Sequence, residues 1–156
     1  MWWRLGRAAF EKNKGQGNKW ALRRIVASGK PVGVLAYSVG KPVGWCAVAP
    51  REVYTRLANS RVLKPVDAQS VWSVSCFYVT PSYRRTGLSI VLLKAAVDYA
   101  KQNGANIVEG YPQDVRKNIP AAFAWSGLLP AFRQAGFKEM ARRSPSKPIM
   151  RKDVSE

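Results

Sequence analysis

A basic turn that contains a glycine separates a predicted strand from a predicted long helix at residues 80–89. Arg84, Arg85 and Gly87 all lie in this turn. Free backbone N–H groups and the positive end of a helix dipole bind phosphate, and an arginine fork matches phosphate geometry. Gly87 lets the backbone approach an anion closely. The pattern predicts an anion site, and the alternative is a solvated basic turn that starts a surface helix.

Several kinds of chemistry are excluded by residues that the chain lacks. The sequence has no histidine, and its two cysteines, Cys46 and Cys76, form no CxxC pair. Histidine-based triads and the common zinc sites are therefore excluded, and we expect no metal. Neither a GxxxxGK[ST] loop nor a GxGxxG loop follows a strand, which argues against nucleotide hydrolysis and dinucleotide binding.

The net charge is strongly positive, with 26 Lys and Arg against 9 Asp and Glu and a formal charge of +17. Such a field favours an anionic ligand, and it does not choose among nucleic acid, an anionic membrane, a phosphorylated cofactor and an acidic substrate. The basic residues are spread from Arg4 to Lys152. This spread argues against a basic arm.

Length and composition indicate one globular domain over residues 1–156, because 47% of the residues are hydrophobic and 11% are aromatic. No apolar segment is long enough for a signal peptide or a membrane span. We therefore expect a cytoplasmic protein without membrane contact. In that reducing compartment both cysteines are expected to be free thiols.

Hydrophobic periodicity predicts the elements that would position the basic turn. The predicted helices cover 18–28, 50–57, 89–101 and a stretch within 121–135. The predicted strands cover 34–37 and 45–48, which form a hairpin near Gly40, and then 71–79, 105–108, 137–141 and 148–151. This order favours an α/β fold, with a mixed sheet that has antiparallel strands early and a parallel strand–helix–strand unit in the middle.

The turn resembles motif A of the GNAT N-acetyltransferase superfamily in the segment Val79-x-Pro81-x-Tyr83-Arg84-Arg85-x-Gly87-x-Ser89. The core pattern of that motif is Arg/Gln-x-x-Gly-x-Gly/Ala. Ser89 stands where the family has Gly or Ala. The Gly136-Phe137 pair and the early hairpin also resemble the family. Further stretches at 44–51, 76–77 and 108–112 resemble an uncharacterised bacterial branch that starts with Trp-Trp-Arg.

This resemblance implies an N-acetyltransferase that uses acetyl-CoA, with a primary amine of a small molecule or protein attacking the thioester directly. In that fold a strand splays from its neighbour, and its backbone pairs with pantetheine. By position this role falls to Phe77, Tyr78 and Val79. The pyrophosphate would lie on the turn formed by Arg84, Arg85, Thr86, Gly87, Leu88 and Ser89.

The resemblance also suggests where a base and an acid would stand. Glu109, at the end of the apolar run 107–108, is the candidate base, because burial beside the splay would raise the pKa of its carboxyl. Its alternative is a strand-end glutamate paired with nearby cations. Many members place a proton-donating tyrosine where this chain has Phe132. Ser126, Tyr111 and Tyr78 are the candidate donors, each with a packing role as its alternative.

An acceptor pocket is predicted between the hairpin and the late helix. Trp45, Arg51 and Trp125 are its candidate residues, together with Tyr54, and core packing is the alternative for the aromatic ones. Cys76 is interpreted as a core residue and not as an acetyl carrier, because burial suppresses thiol reactivity.

Two other functions stay open at this point. One is a basic nucleic-acid-binding module, and the other is a GNAT-fold protein that binds CoA without catalysis. The charge disfavours polycationic acceptors such as polyamines and aminoglycosides. A homodimer is also left open.

Overall fold

The core of the fold is a six-stranded mixed sheet. The computed structural model describes residues 1–115 and 124–155. Its strands are β1 Val34–Ser38, β2 Lys41–Pro50, β3 Trp72–Val79, β4 Ile107–Gly110, β5 Lys138–Arg142 and β6 Pro148–Asp153. They lie in the order β1-β2-β3-β4-β6-β5. Only β3 and β4 are parallel among these neighbours, and the predicted α/β sheet is confirmed.

The helices of the described residues are α1 Arg7–Lys12, α2 Gln16–Ala27, α3 Thr55–Ala58, α4 Leu88–Gln102 and α5 Leu129–Gln134. Helices α2, α4 and α5 fall at predicted positions, although residues 121–123 of the last predicted stretch lie outside the described residues. The bounds predicted for the helix at 50–57 are wrong, because Pro50 ends β2, a 3₁₀ turn covers Arg51–Val53 and α3 begins at Thr55. Helix α1 was not predicted. None of its six residues is buried, so apolar periodicity carried no signal for it.

The hairpin turns at Val39 and Gly40, whose φ angles of 47° and 73° are both left-handed. This is the conformation that two-residue hairpin turns need, because it matches the twist of the strands. The turn brings β1 and β2 into register, with Leu35 opposite Trp45. The predicted hairpin is confirmed.

Helix α4 packs one face on the sheet. Its buried side chains are Leu92, Leu93, Ala96, Val97 and Ala100, and they join the main core together with residues of β2, β3 and β4. Burial of this face anchors the helix, and it thereby fixes the position of the turn before it.

Helix α2 does not bury the side that its pattern predicted. Trp20 and Val26 are about half exposed. Leu22 of the same helix lines a cavity beside the sheet.

None of the helices in the described ranges is long and apolar enough to cross a bilayer. Both cysteines are free, as predicted.

Candidate functional site

The basic turn forms a row of open backbone donors in front of α4. Gly87 caps the helix with φ 84°, and Arg85 has φ 63°. Within the described residues no acceptor pairs with the N–H groups of residues 85–89, whereas Ile90 N–H donates to Gly87 C=O at 2.9 Å. Five N–H groups at the start of a 15-residue helix make a site for an anion of phosphate type.

Side chains hold this turn in place. Thr86 Oγ1 donates to Tyr83 C=O at 2.7 Å, and Tyr83 OH donates to Ser38 Oγ at 2.7 Å. Arg84 Nε donates to Val79 C=O at 3.1 Å, while Arg85 and Gly87 are exposed. The turn is therefore fixed on β1 and β3, and the Arg85 side chain is open to solvent.

A bulge in β3 opens the sheet beside this turn. The register of β3 with β2 shifts between Ala47 and Val48, which leaves Ser75 as the extra residue. Pairing of β3 with β4 ends at Val74 and Gly110, next to that bulge. Bulges bend a strand and end its pairing, so β3 splays from β4 beyond Val74. The predicted splay is present.

Backbone groups of β3 alternate beyond the splay. Thr80 N–H donates to Val43 C=O of β2 at 3.0 Å, so the backbone N–H and C=O groups of the even-numbered residues at this end of β3 point towards β2. The backbone groups of the odd-numbered residues Phe77 and Val79 point towards the open edge. Tyr78 pairs with Trp45. Because strand alternation has period two, the backbone N–H and C=O groups of Tyr78 point away from the splay, unlike those of Phe77 and Val79.

The chain itself occupies part of the open edge. Phe77 N–H donates to Trp125 C=O at 2.6 Å, and Trp3 Nε1 donates to Ser75 C=O at 2.9 Å. Within the described residues the C=O of Phe77 accepts only from the thiol of Cys76, at 3.9 Å, and the N–H of Val79 has no partner.

A cavity of about 440 Å³ lies beside the splay, between the N-terminal segment and the sheet. Five aromatic side chains line it. They are Trp2, Trp3, Trp45, Tyr54 and Trp125. Ser75 and Cys76 of β3 also line this cavity, which therefore reaches the strand that splays. We call it the aromatic cavity.

The structure brings three of the four predicted acceptor residues to this cavity. Trp45, Tyr54 and Trp125 line it, whereas Arg51 does not. The guanidinium of Arg51 instead binds Glu109, Tyr111 and the backbone C=O groups of Leu57 and Leu63. Arg51 therefore serves a buried network and not the cavity wall.

Glu109 is the centre of that network. It is fully buried and pairs with Ser73 inside the parallel ladder, one residue before the splay. Its Oε1 accepts from Arg51 at 2.7 Å and from Tyr111 OH at 2.6 Å, and its Oε2 accepts from Arg151 Nε at 2.7 Å. Both carboxylate oxygens are thus engaged, and Glu109 does not line the aromatic cavity.

The candidate proton donors have different surroundings. Tyr111 is buried, its hydroxyl lies in the Glu109 network, and burial raises the pKa of Tyr111. Ser126 is also buried, but its Oγ accepts from Lys147 Nζ at 2.8 Å, which leaves its own proton available. Burial lowers the pKa of Lys147 to about 8. Tyr78 has an exposed side chain.

Cys76 lines the aromatic cavity, but its thiol is a poor nucleophile. Burial raises the pKa of Cys76, and burial also raises the pKa of Cys46. The thiolate is the reactive form of cysteine, so the raised pKa keeps Cys76 mainly in the less reactive thiol form.

Phe132 is completely buried and packs edge-on against Phe77 and Phe137, with ring centroids 6.1 and 5.0 Å away. Its ring fills the space above Gly110, where an added Cβ would lie 2.8 Å from Cζ. The substitution Phe132→Tyr is therefore expected to lower the free energy of unfolding by about 1–3 kcal/mol, because it adds a hydroxyl to a packed apolar site. Urea unfolding of wild type and variant measures this, and an equal or higher free energy of unfolding in the variant would contradict it.

Sequence reasoning missed several residues of the site. Arg151 and Asp67 complete the Glu109 network, with Arg151 NH1 2.6 Å from Asp67 Oδ2, and Lys147 supports Ser126. No local pattern marks these partners. For Trp2, Trp3 and Arg4 the sequence does offer a signal, since they are expected either to cover an edge of the acceptor pocket or to pack the N-terminal segment, and all three line the aromatic cavity.

Within the described ranges no group of three or more metal-ligating side chains occurs.

Comparison with known proteins gives a match to the model of the acetyltransferase (GNAT) family over residues 1–122. No curated protein matches the sequence.

Several solved structures resemble this fold. One is yncA from Salmonella typhimurium with its cofactor acetyl-CoA, at 18% identity and TM-score 0.59, covering 91% of this chain and 75% of that one. Another is the PaiA N-acetyltransferase from Thermoplasma acidophilum with coenzyme A, at 15% identity and TM-score 0.57, covering 96% of this chain and 80% of that one. A third is the ribosomal-protein-alanine N-acetyltransferase from Brucella melitensis, at 16% identity and TM-score 0.56, covering 89% of this chain and 78% of that one. At these identities the likeness shows the fold.

Proposed function

The chain belongs to the acetyltransferase (GNAT) family, and from this premise we propose that it transfers the acetyl group of acetyl-CoA to a primary amine that attacks directly. The row of open N–H groups at residues 85–89 carries this proposal. Two structural neighbours hold coenzyme A or acetyl-CoA, which supports the same cofactor here. Acetyl-CoA supplies an acetyl group activated as a thioester.

The residues present fit this cofactor. The N–H groups of the turn would hold the pyrophosphate, because successive backbone donors at a helix start stabilise phosphate charge. Arg85 would add a charge-assisted contact. Phe77 C=O and Val79 N–H at the open edge would pair with the amides of pantetheine.

The aromatic cavity would hold the amine. Burial in an apolar site lowers the pKa of an amine, so the neutral and nucleophilic form is favoured without a nearby base. Glu109, predicted from the sequence as the base, is assigned a positioning role instead, because Arg51, Arg151 and Tyr111 occupy both of its oxygens. It anchors β4 at the splay.

Ser126 remains the proposed proton donor for the thiolate that departs. Its hydroxyl proton is available because its oxygen accepts from Lys147, and Lys147, with its lowered pKa, can return a proton. We leave Tyr111 out of the proposed donors, since its hydroxyl donates its hydrogen bond to Glu109 Oε1.

A charge-matched pair of variants tests the cofactor site. Arg85→Glu is expected to weaken acetyl-CoA binding about 10-fold, because one charge-assisted contact is worth about 1.5 kcal/mol or more. Lys94→Glu, on the exposed surface of α4, changes the net charge equally and is expected to alter affinity less than about 2-fold.

Calorimetric titration of acetyl-CoA into wild type and both variants gives the result. Equal weakening in both variants would mean that only the general field of the protein matters. Absence of binding to wild type at low salt would overturn the proposal and favour the nucleic-acid-binding alternative.

A further inference from the structure

The wall of the aromatic cavity carries information about the acceptor. Resting on the proposed function, we propose that the acceptor is a primary amine on an apolar aromatic body that also bears one carboxylate, the chemistry of an aromatic amino acid. Three observations support this: the aromatic lining, the placement of the protein's own cations, and unpaired polar groups in the wall.

The cavity suits one small apolar molecule. Its volume of about 440 Å³ lies within the range of small-ligand sites, which are mostly apolar with a few polar groups. Among the described residues that line it there is no aspartate or glutamate. An ammonium group would therefore find no carboxylate there, and a flat aromatic body could stack on tryptophan.

Cations of the protein already cover several of these rings. The guanidinium carbon of Arg56 lies 3.5 Å from the ring centroid of Trp2, that of Arg4 lies 5.1 Å from Tyr54, and Lys147 Nζ lies 5.9 Å from Trp125. A ligand with several ammonium groups would meet like charge at these rings. The wall thus disfavours polyamines and aminoglycosides, although one structural neighbour, AAC(6')-Ib, holds kanamycin.

Arg4 is the anion-binding group of the wall. It lines the cavity and donates one hydrogen bond, from NH2 to Pro31 C=O at 2.9 Å. No carboxylate of the described residues pairs with it. An arginine fork with free donors beside an apolar cavity matches a carboxylate.

Tyr54 adds a second unpaired polar group. Its side chain is 2% exposed and lines the same cavity, and in the described part of the chain its hydroxyl makes no hydrogen bond of good geometry, although the Ser75 hydroxyl is its polar neighbour. Buried hydroxyls are normally paired, so this group points to a ligand that accepts a hydrogen bond. Arg4 and Tyr54 also lie together, since the guanidinium stacks on the phenol ring.

The test compares two amines that differ by one carboxylate. Acetyl transfer from acetyl-CoA to L-phenylalanine and to 2-phenylethylamine is measured with wild type, Arg4→Gln and Arg24→Gln. We expect kcat/KM for phenylalanine to exceed that for phenylethylamine about 10-fold or more in wild type, since Arg4 would bind the carboxylate. We expect this ratio to fall to about 1 in Arg4→Gln.

Arg24→Gln is the matched control. It removes an equal charge from the exposed surface of α2, where Arg24 does not line the cavity, and the ratio is expected to stay within about 2-fold of wild type. Differences in amine basicity cancel when the ratio is compared between variants.

The outcomes separate this inference from the proposed function. Equal kcat/KM values in wild type, an unchanged ratio in Arg4→Gln, or a preference for spermidine or kanamycin would overturn the inference. So would failure to acetylate either amine while acetyl-CoA still binds in an Arg85-dependent way, which leaves the cofactor site standing. Loss of acetyl-CoA binding itself would overturn the proposed function.

Discussion

Replacing Gly87 by valine is expected to weaken acetyl-CoA binding about 100-fold. Gly87 has φ 84° at the start of α4, a left-handed conformation that costs other residues about 1–2 kcal/mol and β-branched ones most. Relief of this strain would rotate the neighbouring peptides and misalign N–H groups of the turn. Loss of two charge-assisted hydrogen bonds, at about 1.4 kcal/mol each, accounts for the expected factor.

The other end of the same helix provides the control. Gly104 follows α4 with φ 86°, and a Cβ added at either glycine meets nothing within 4 Å. Gly104→Val is therefore expected to cost a similar free energy of unfolding, about 1–2 kcal/mol, and to leave acetyl-CoA affinity within about 2-fold. Calorimetric titration and urea unfolding of both variants test this. Equal loss of affinity in both would show that the turn has no special part in binding.

Glu109→Gln is expected to lower the free energy of unfolding by about 3–5 kcal/mol. The glutamate is fully buried between Arg51 and Arg151, and the amide leaves these two cations without their shared anion. The matched control is Glu139→Gln, in which a surface ion pair with Arg142 is lost at an expected cost below about 1 kcal/mol. Chemical denaturation gives both values.

The same variant separates a positioning role of Glu109 from a role as base. If Glu109 positions β4, the folded variant keeps kcat/KM within a few fold of wild type. The loss in free energy of unfolding for the double variant Glu109→Gln with Arg151→Met then differs from the sum of the two single losses by about 0.5–3 kcal/mol. If Glu109 is the base, kcat falls about 100-fold or more and the pH profile changes its shape. The second pattern in a stably folded variant would restore the prediction made from the sequence.

Much of the scaffold was predictable because local patterns encode it. The apolar face of α4, the β-branched and aromatic run of β3 and the glycine turns at Gly40 and Gly87 follow from periodicity and φ preference. The same reasoning misjudged α2, whose apolar side is half exposed at Trp20. Amphipathicity marks a face that can be buried, and the rest of the chain decides whether it is.

The order of the elements apart from α1, the basic glycine turn before α4 and the exclusion of histidine and zinc chemistry follow from residue types and near neighbours. The partners of Glu109 and Arg51 follow only from the packing of distant segments. Arg51 lies 58 residues before Glu109, and Arg151 lies 42 after it. The aromatic cavity likewise needs the N-terminal tryptophans to meet β2 and β3. Such partners are chosen by which distant segments pack together, and no local spacing records that choice.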